Sequence, residues 1–205
     1  MTLPSANPCT ERADAARNRA RIMEAAARLV IERGAEQVTM EAVARAAGVG
    51  KGTLFRRFGD REGLLLALLG NAEAEFQEAY SEGPPPLGPG APAVDRLLAF
   101  GRTLLERAAD DQDVGAALVR HVLGERRHRS ALGRAFHSHM TALLQEAGVD
   151  GDRECLAYAL LTFLEIGLWD DDLLQQRGMT ATRLQTAWED LVPRMTRPAP
   201  RQAAD

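Results

Sequence analysis

The sequence predicts an all-α protein of about nine helices, in which a small three-helix head precedes a larger helical body. Apolar residues recur at helical spacing along most of the 205-residue chain, and no stretch shows the sustained period of two that is typical of strands. Hydrophobic residues make up 45% of the chain but aromatic residues only 5%, so Leu, Ala and Val must form most of the core. One Pro- and Gly-rich segment, residues 83–92, interrupts the helical pattern.

The head is expected to span residues 15–63, after a flexible tail over residues 1–14 that has no periodicity. A first helix over 15–33 is indicated by one apolar face, and Gly34 ends it. The members of that face are Ile22, Ala25, Ala26, Leu29 and Val30.

Three more helices follow in the predicted order. Thr39 caps a short helix that ends at Ala47, and Gly48 provides the turn into another helix over 51–57. Asp60 caps a longer helix that reaches residue 82.

The body is expected to span residues 64–196, followed by a second flexible tail over 197–205. Its helical patterns lie at 93–109, 112–124, 130–147, 152–176 and 180–196.

Charge is distributed unevenly between these two parts. Residues 1–63 hold 11 Lys and Arg against 8 Asp and Glu, whereas residues 64–205 hold 14 against 21. A basic head on an acidic body is typical of a protein that meets a polyanion at one end.

Several classes of protein are disfavoured by the sequence. Cys9 and Cys155 provide neither a disulfide framework nor a paired metal motif, and the N-terminus lacks an apolar signal core. The longest largely apolar run, residues 156–164, falls short of the about 20 residues that span a bilayer. We find no nucleophile elbow, phosphate loop or spaced carboxylate pair. We therefore expect a reduced, cytoplasmic protein that is not an enzyme, with no cofactor and no membrane partner.

The most informative stretch is residues 39–58, whose pattern meets the local demands of a helix-turn-helix. Ala44 and Ala47 are small where two helices must cross, and Gly48 tolerates a positive φ in the sharp turn. Val49, Leu54 and Phe58 are expected to anchor the second helix. Its remaining residues face outward, and an exposed aromatic beside three cations suits the major groove of duplex DNA: Lys51, Gly52, Thr53, Phe55, Arg56 and Arg57.

Residues 15–64 resemble the DNA-binding region of the tetracycline-repressor (TetR) family, whose pattern is T-x-x-x-[VI]-A-x-x-A-G-V-[ST]-x-G-[TS]-[LIF]-Y-x-[HY]-F. The matching residues are Thr39, Val43, Ala44, Ala47, Gly48, Val49, Gly52, Thr53, Leu54 and Phe58. The chain departs from the pattern at Gly50, where a hydroxyl cap is lost, and at Phe55, where a phosphate-binding Tyr is lost. Arg57 replaces a His or Tyr, and Arg61 stands in for a Lys near the next helix start.

The resemblance implies two sets of contacts with double-stranded DNA. Phosphate contacts are implied for Thr39, Phe55, Arg57 and Arg61. Contacts near the base edges are implied for Lys51, Gly52, Thr53 and Arg56. Four further arginines, which form either a solvated helix face or an attractive surface for DNA, are Arg12, Arg17, Arg19 and Arg21.

A homodimer is expected because the helix over 152–176 is apolar on two sides and needs two burial partners. The resemblance implies that the last two helices form the interface and that the DNA site is a palindromic operator. Residues expected at the interface are Leu161, Leu164, Leu168, Leu184, Trp188, Leu191 and Met195.

The resemblance also implies an unidentified small-molecule effector inside the body. Candidate lining residues, for which ordinary core packing is the alternative, are Phe100, Leu104, Leu118, His121, Phe136, His139, Met140, Tyr158, Phe163 and Trp169. His121 and His139 lie on apolar faces, and each needs a partner if buried: a ligand, a carboxylate or the other imidazole.

A metal site is not expected. His121, His139 and Cys155 lack paired ligand spacing, and residues 170–172, three consecutive Asp, diverge around a helix.

Taken together, the sequence predicts a sequence-specific transcriptional regulator, a repressor that an effector releases from its operator. The alternative is a DNA-bound adaptor whose body recruits a protein partner without any effector.

Overall fold

The structure is a computed structural model that describes residues 8–110, 112–123, 130–169 and 176–197. Side chains are described in these ranges except at residues 8–13, 123 and 166–169. Within the described ranges the chain forms nine α-helices and no strand, which confirms the all-α prediction. The helices are α1 (Pro8–Arg33), α2 (Met40–Ala47), α3 (Lys51–Phe58), α4 (Arg61–Ser81), α5 (Ala93–Ala109), α6 (Val114–Leu118), α7 (Ala131–Glu146), α8 (Arg153–Trp169) and α9 (Ala181–Met195).

The helix bounds differ from the predicted ones mainly at α1. This helix begins at Pro8, so the expectation of a flexible tail over residues 8–14 is wrong. Proline is tolerated in a first helical turn because the N–H that it lacks would have no intrahelical partner there. Residues 1–7 and 198–205, also expected to form tails, lie outside the described residues.

Two short elements have no counterpart in the prediction. A 3₁₀-helix over Ala35–Gln37 joins α1 to α2, and a π-helical segment over Val119–Leu123 continues α6. The single helix expected over 112–124 is therefore divided. The expected continuation of α8 through residues 170–175, with the three Asp at its start, lies outside the described residues.

The chain divides into two compact units, Met1–Asn71 and Ala72–Asp205, which we call the head and the body. The division falls within α4, later than the expected boundary after residue 63. None of the described helices has the length and apolar character that crossing a membrane requires.

The core of the head follows from the apolar face of α1, which is buried as the spacing predicts. Packing of α2 against α1 buries Val43 and Ala44, and Leu54 of α3 is fully buried. Arg21 of α1 donates a hydrogen bond of 2.7 Å to the carbonyl of Ala47, which ties α1 to the end of α2.

The core of the body is a hydrophobic cluster, in which aromatic rings from α4, α5 and α7 pack together. The ring centroids of Phe76, Phe100 and Phe136 lie 5.4 to 5.7 Å apart. Trp188 of α9 is fully buried, and its indole Nε1 donates to the carbonyl of Leu98 at 3.0 Å. This bond satisfies the only polar atom of the indole side chain.

Candidate nucleic-acid interface and body pocket

The turn between α2 and α3 has the geometry that the sequence predicts. Gly48 adopts the left-handed conformation (φ 63°, ψ 38°), which only glycine enters without steric cost. The hydroxyl of Thr39 caps α2 by accepting a hydrogen bond from the amide of Ala42, as expected. Gly50 leaves α3 without a side-chain cap, as expected from its departure from the family pattern.

Because Leu54 anchors α3 from its inner side, the opposite side of the helix is exposed. Lys51, Gly52, Phe55 and Arg56 are exposed, and Thr53 is half-buried. Phe55 exposes 45% of its surface, which is unusual for so large an apolar side chain. Arg56 makes no hydrogen bond or ion pair with any described residue, so its five donors are available. We call the side chains of residues 51, 52, 53, 55 and 56 the α3 outer surface.

Lys51, by contrast, is already engaged. Its Nζ lies 2.7 Å from Oε1 of Glu41, an acidic residue in the first turn of α2. The hydrogen bond from Lys51 is the main reason that the pKa of the Glu41 carboxyl is lowered from its ordinary value. Sequence reasoning missed this pair, because residues ten positions apart on two different helices share no periodicity.

Two arginines that the resemblance assigns to phosphates also bind the backbone of the head. Arg57 donates to the carbonyl of Ala15 in α1 at 2.7 Å. Arg61 donates to the carbonyls of Ala35, Glu36 and Val38, at 2.7, 3.1 and 2.8 Å. Arg61 therefore closes the connection between α1 and α2, a role that the sequence did not indicate.

This assignment predicts that Arg61→Ala destabilises the protein. Hydrogen bonds to a charged group contribute about 1.5–3 kcal/mol, and solvent at this half-buried site brings the expected loss to about 1.5 kcal/mol. Urea unfolding followed by circular dichroism measures it. Arg56→Ala is the matched control, and its free energy of unfolding should stay within about 0.5 kcal/mol of wild type. Equal stability of the two variants would contradict the role given to Arg61.

Of the four α1 arginines that could attract DNA, three have contacts within the head. Arg17 pairs with Asp14, and the Arg19 guanidinium lies 5.5 Å from the ring centroid of Phe58. Arg21 is held by Ala47, as described above, and the side chain of Arg12 lies outside the described residues. A general attraction for DNA by these residues stays a prediction.

The body contains a small, partly open pocket with a volume of about 20 Å³, which is room for about one water molecule. Its walls are mostly apolar and include two of the expected lining residues, Leu104 and Phe136. The full lining is Glu73, Leu104, Arg107, Ala116, Val119, Leu132 and Phe136.

A charged cluster that sequence reasoning missed borders this pocket. Arg107 Nε lies 2.8 Å from Asp113 Oδ2, and its Nη2 lies 3.3 Å from Glu73 Oε1. The guanidinium also covers the ring of Phe76 at 4.7 Å. Burial by itself lowers the pKa of Arg107, but the bond to Asp113 and the charge of Glu73 outweigh burial and raise it.

The other expected lining residues have different environments. Phe100, Leu118 and Met140 are core residues without a place in the pocket wall. His121 is exposed, so its imidazole does not need a buried partner. Tyr158 is 49% exposed, its ring lying 3.9 Å from that of His137, and so it does not line an enclosed site. Phe163 is half-buried against Trp188, and the Trp169 side chain lies outside the described residues.

His139 is half-buried, with Tyr80 and Phe100 at ring distances of 4.4 and 5.0 Å. Its Nε2 is buried and has no hydrogen-bond partner among the described residues. Burial, helped by the charge of Arg96, lowers the pKa of His139 to about 4. Among the described residues, no cluster of three His, Cys, Asp or Glu could hold a metal ion.

A pH dependence follows from the lowered pKa of His139. In the unfolded chain this imidazole takes up a proton near pH 6.5, but in the folded protein it does so only near pH 4. Its neutral form therefore favours folding fully above pH 6.5, and this contribution is lost as the pH falls towards 4. A proton NMR titration of the His139 ring should show a midpoint near 4, and a midpoint at or above 6.5 would contradict the burial argument.

The residues expected at a dimer interface are largely internal. Leu161, Leu164, Leu184 and Trp188 are at most 2% exposed within the single chain. They pack in the core of the body and leave almost no surface for a partner, which corrects the expectation for these four. Leu191 and Met195 are half-buried against the same core, and the side chain of Leu168 lies outside the described residues. Among the described side chains of α8, the exposed ones are Glu154, Cys155, Tyr158, Ala159 and Thr162.

Comparison with known proteins gives matches over the head and over the whole fold. The family model for bacterial regulatory proteins of the tetR family matches residues 22–68. An HTH-type transcriptional regulator of Staphylococcus aureus (strain USA300) is 45% identical over 53 residues, which are 26% of this chain. The match covers only 29% of the length of that relative.

Solved structures match over most of the chain. A TetR-family transcriptional regulator from Pectobacterium atrosepticum is 25% identical, with a TM-score of 0.68 over 90% of this chain and 96% of the other. AibR, solved in complex with isovaleryl coenzyme A and operator DNA, is also 25% identical, with a TM-score of 0.57 over 89% of this chain and 100% of AibR.

The helix-turn-helix in the head, the match of its sequence and the likeness of the complete fold agree with one another. Residues 22–68 match the tetR family of bacterial regulatory proteins, and the fold of the chain is similar to that of TetR-family regulators.

Proposed function

We propose that the protein is a sequence-specific DNA-binding transcriptional regulator, which binds a palindromic operator as a homodimer and is released by a small-molecule effector. The α3 outer surface is the observation that carries the proposal. It combines an exposed Phe, a cation without a partner among the described residues and a helix short enough to enter the major groove. The match of the head to the tetR family model argues against the enzyme alternative.

In this proposal the two sets of contacts have different tasks. Arg56, Thr53 and Lys51 reach base edges and select the sequence, since only the grooves present sequence information. Thr39, Phe55 and Arg57 lie at the phosphates and fix the orientation of the head. The hydroxyl of Thr39 can still donate to a phosphate, because its oxygen accepts the bond that caps α2.

Selection from a random duplex library with the full-length protein tests this function. We expect enrichment of a palindrome whose half-sites lie about 34–36 Å apart, because two equivalent heads must enter successive major grooves. Failure to enrich any sequence, with the protein folded, would refute the proposed function. Light scattering, which measures the molar mass in solution, tests the dimer separately, and we expect twice the mass of one chain.

The pocket in the body supports the effector. Its apolar walls with a fixed charged cluster on one side have a composition that suits small organic ligands, and an effector would have to widen the pocket to enter it. AibR, whose fold is similar, was solved with isovaleryl coenzyme A and operator DNA. The effector would shift α4, the helix within which head and body divide, and favour dimers whose heads do not match the operator. A coupling of about 1–3 kcal/mol would change operator affinity about 5- to 150-fold.

A thermal-shift screen followed by operator titration tests the effector. Compounds that stabilise the wild type should weaken operator binding, and Ala116→Val, which narrows the pocket, should diminish both effects. If no stabilising compound changes operator affinity, the effector is refuted and the adaptor alternative is favoured.

A further inference from the structure

Glu41 and Lys51 form an ion pair on the exposed side of the helix-turn-helix. The Nζ to Oε1 distance is 2.7 Å, and the side chains of Lys51 and Glu41 are 59% and 52% exposed. Lys51 is the first residue of α3 and belongs to the α3 outer surface, so its partner Glu41, in the first turn of α2, lies at the edge of that surface. A pair this exposed adds little to stability, because water screens its two charges. The small contribution of the ion pair to stability does not explain an acidic residue at this position.

A carboxylate at a DNA-binding surface opposes the general attraction to DNA. The phosphate backbone is negative and presents only acceptors, so it repels Glu41 and offers it no hydrogen bond. A base-pair edge in the major groove is different, because it presents a donor beside an acceptor. The Glu41–Lys51 pair has the complementary arrangement, an acceptor beside a donor. It therefore fits a base pair and not the backbone.

The pair need not break to bind a base pair. Lys51 has two further N–H donors, and Glu41 has a second carboxylate oxygen. Guanine presents two neighbouring acceptors, N7 and O6, and the N4 amino group of its partner cytosine is a donor. A G·C pair whose guanine faces Lys51 offers hydrogen-bond partners to both side chains.

We propose that Glu41 is a specificity-determining residue, which reads one G·C pair in each half-site together with Lys51. Glu41 accepts from cytosine N4, while Lys51 donates to guanine. The proposal rests on the proposed function, since it requires the α3 outer surface to enter the major groove. It adds Glu41 of α2 to the residues that recognise base edges. Glu41 would supply a hydrogen-bond acceptor, whereas Lys51 and Arg56 supply donors.

Two variants separate base reading from general charge. Glu41→Ala removes the acceptor, and preference for G·C at one position of each half-site should fall by about 5-fold or more, the equivalent of one lost base contact. Affinity for a mixed-sequence duplex should stay at least at the wild-type level and rise up to about 5-fold, because the freed Lys51 can meet a phosphate. Glu32→Ala is the matched control, since Glu32 pairs with Arg28 on α1 and carries the same charge.

The experiment is selection from a random duplex library with wild type, Glu41→Ala and Glu32→Ala, each with its circular dichroism spectrum recorded. We expect the same enriched palindrome for wild type and Glu32→Ala, and the loss of one G·C position in each half-site for Glu41→Ala. Retention of every position by Glu41→Ala would overturn the proposal. So would uniform weakening at all positions and on the mixed-sequence duplex, which is the result expected of a purely structural residue. If wild type itself enriches no sequence, the proposed function fails and this readout with it.

Discussion

The double variant Lys51→Ala/Arg56→Ala is expected to lose sequence-specific DNA binding while it keeps its fold. Each good base contact provides about 1–3 kcal/mol of discrimination, so two lost contacts amount to about 2–6 kcal/mol for each head. Both side chains are exposed, and neither contributes to the core. Fluorescence anisotropy on the selected palindrome, compared with a mixed-sequence duplex, measures the loss.

The control for this variant removes the same two charges elsewhere on the head. Arg28→Ala/Arg33→Ala changes exposed residues of α1 and should weaken binding to both duplexes alike, without loss of preference. If Lys51→Ala/Arg56→Ala still prefers the palindrome as strongly as the control does, the assignment of the α3 outer surface is wrong.

Gly101→Ala is expected to destabilise the body by about 3 kcal/mol, the upper end of the usual cost of overpacking. A Cβ at this position would lie 2.1 Å from Cε2 and 2.4 Å from Nε1 of Trp188. The indole cannot move aside easily, because it is fully buried and bonded to the carbonyl of Leu98.

Gly70→Ala is the matched control for the packing argument. A Cβ on Gly70 of α4 meets nothing within 4 Å, and alanine favours a helix interior by about 0.5–1 kcal/mol over glycine. Chemical unfolding should therefore show opposite signs for the two substitutions. A Gly101→Ala protein as stable as wild type would mean that the packing of α5 against α9 is not as described.

The sequence predicted those features of the head that depend on neighbouring residues. The positive φ of Gly48 and the caps at Thr39 and Asp60 are local, and each was confirmed. The resemblance implies phosphate contacts for Arg57 and Arg61, and it gives no indication of other partners. Their actual partners are backbone carbonyls 42 and 23 to 26 residues away in the chain, which no local pattern reveals.

Helix α8 shows why apolar periodicity does not identify a partner. Its two apolar stripes correctly indicated two burial partners, and one was expected to be a second subunit. In the structure α8 packs against both α5 and α7, so the partners belong to the same body. A hydrophobic stripe indicates that a face of a helix is buried, but it does not indicate which helix packs against that face.

The pocket was predicted only in part for a related reason. Leu104 and Phe136 are predictable as apolar residues at helical spacing, but the sequence does not indicate Glu73 and Arg107. Charged residues on a helix are usually solvated, and only the fold brings these two together, 34 positions apart.

The central claim, that the α3 outer surface binds duplex DNA, is tested most directly by hydroxyl-radical footprinting of the protein. Phe55 and Tyr158 react readily and are similarly exposed, at 45% and 49%, one on α3 and the other on α8 of the body. With saturating selected duplex, oxidation of Phe55 should fall several-fold while oxidation of Tyr158 stays unchanged. Equal oxidation of Phe55 with and without bound DNA would contradict the claim.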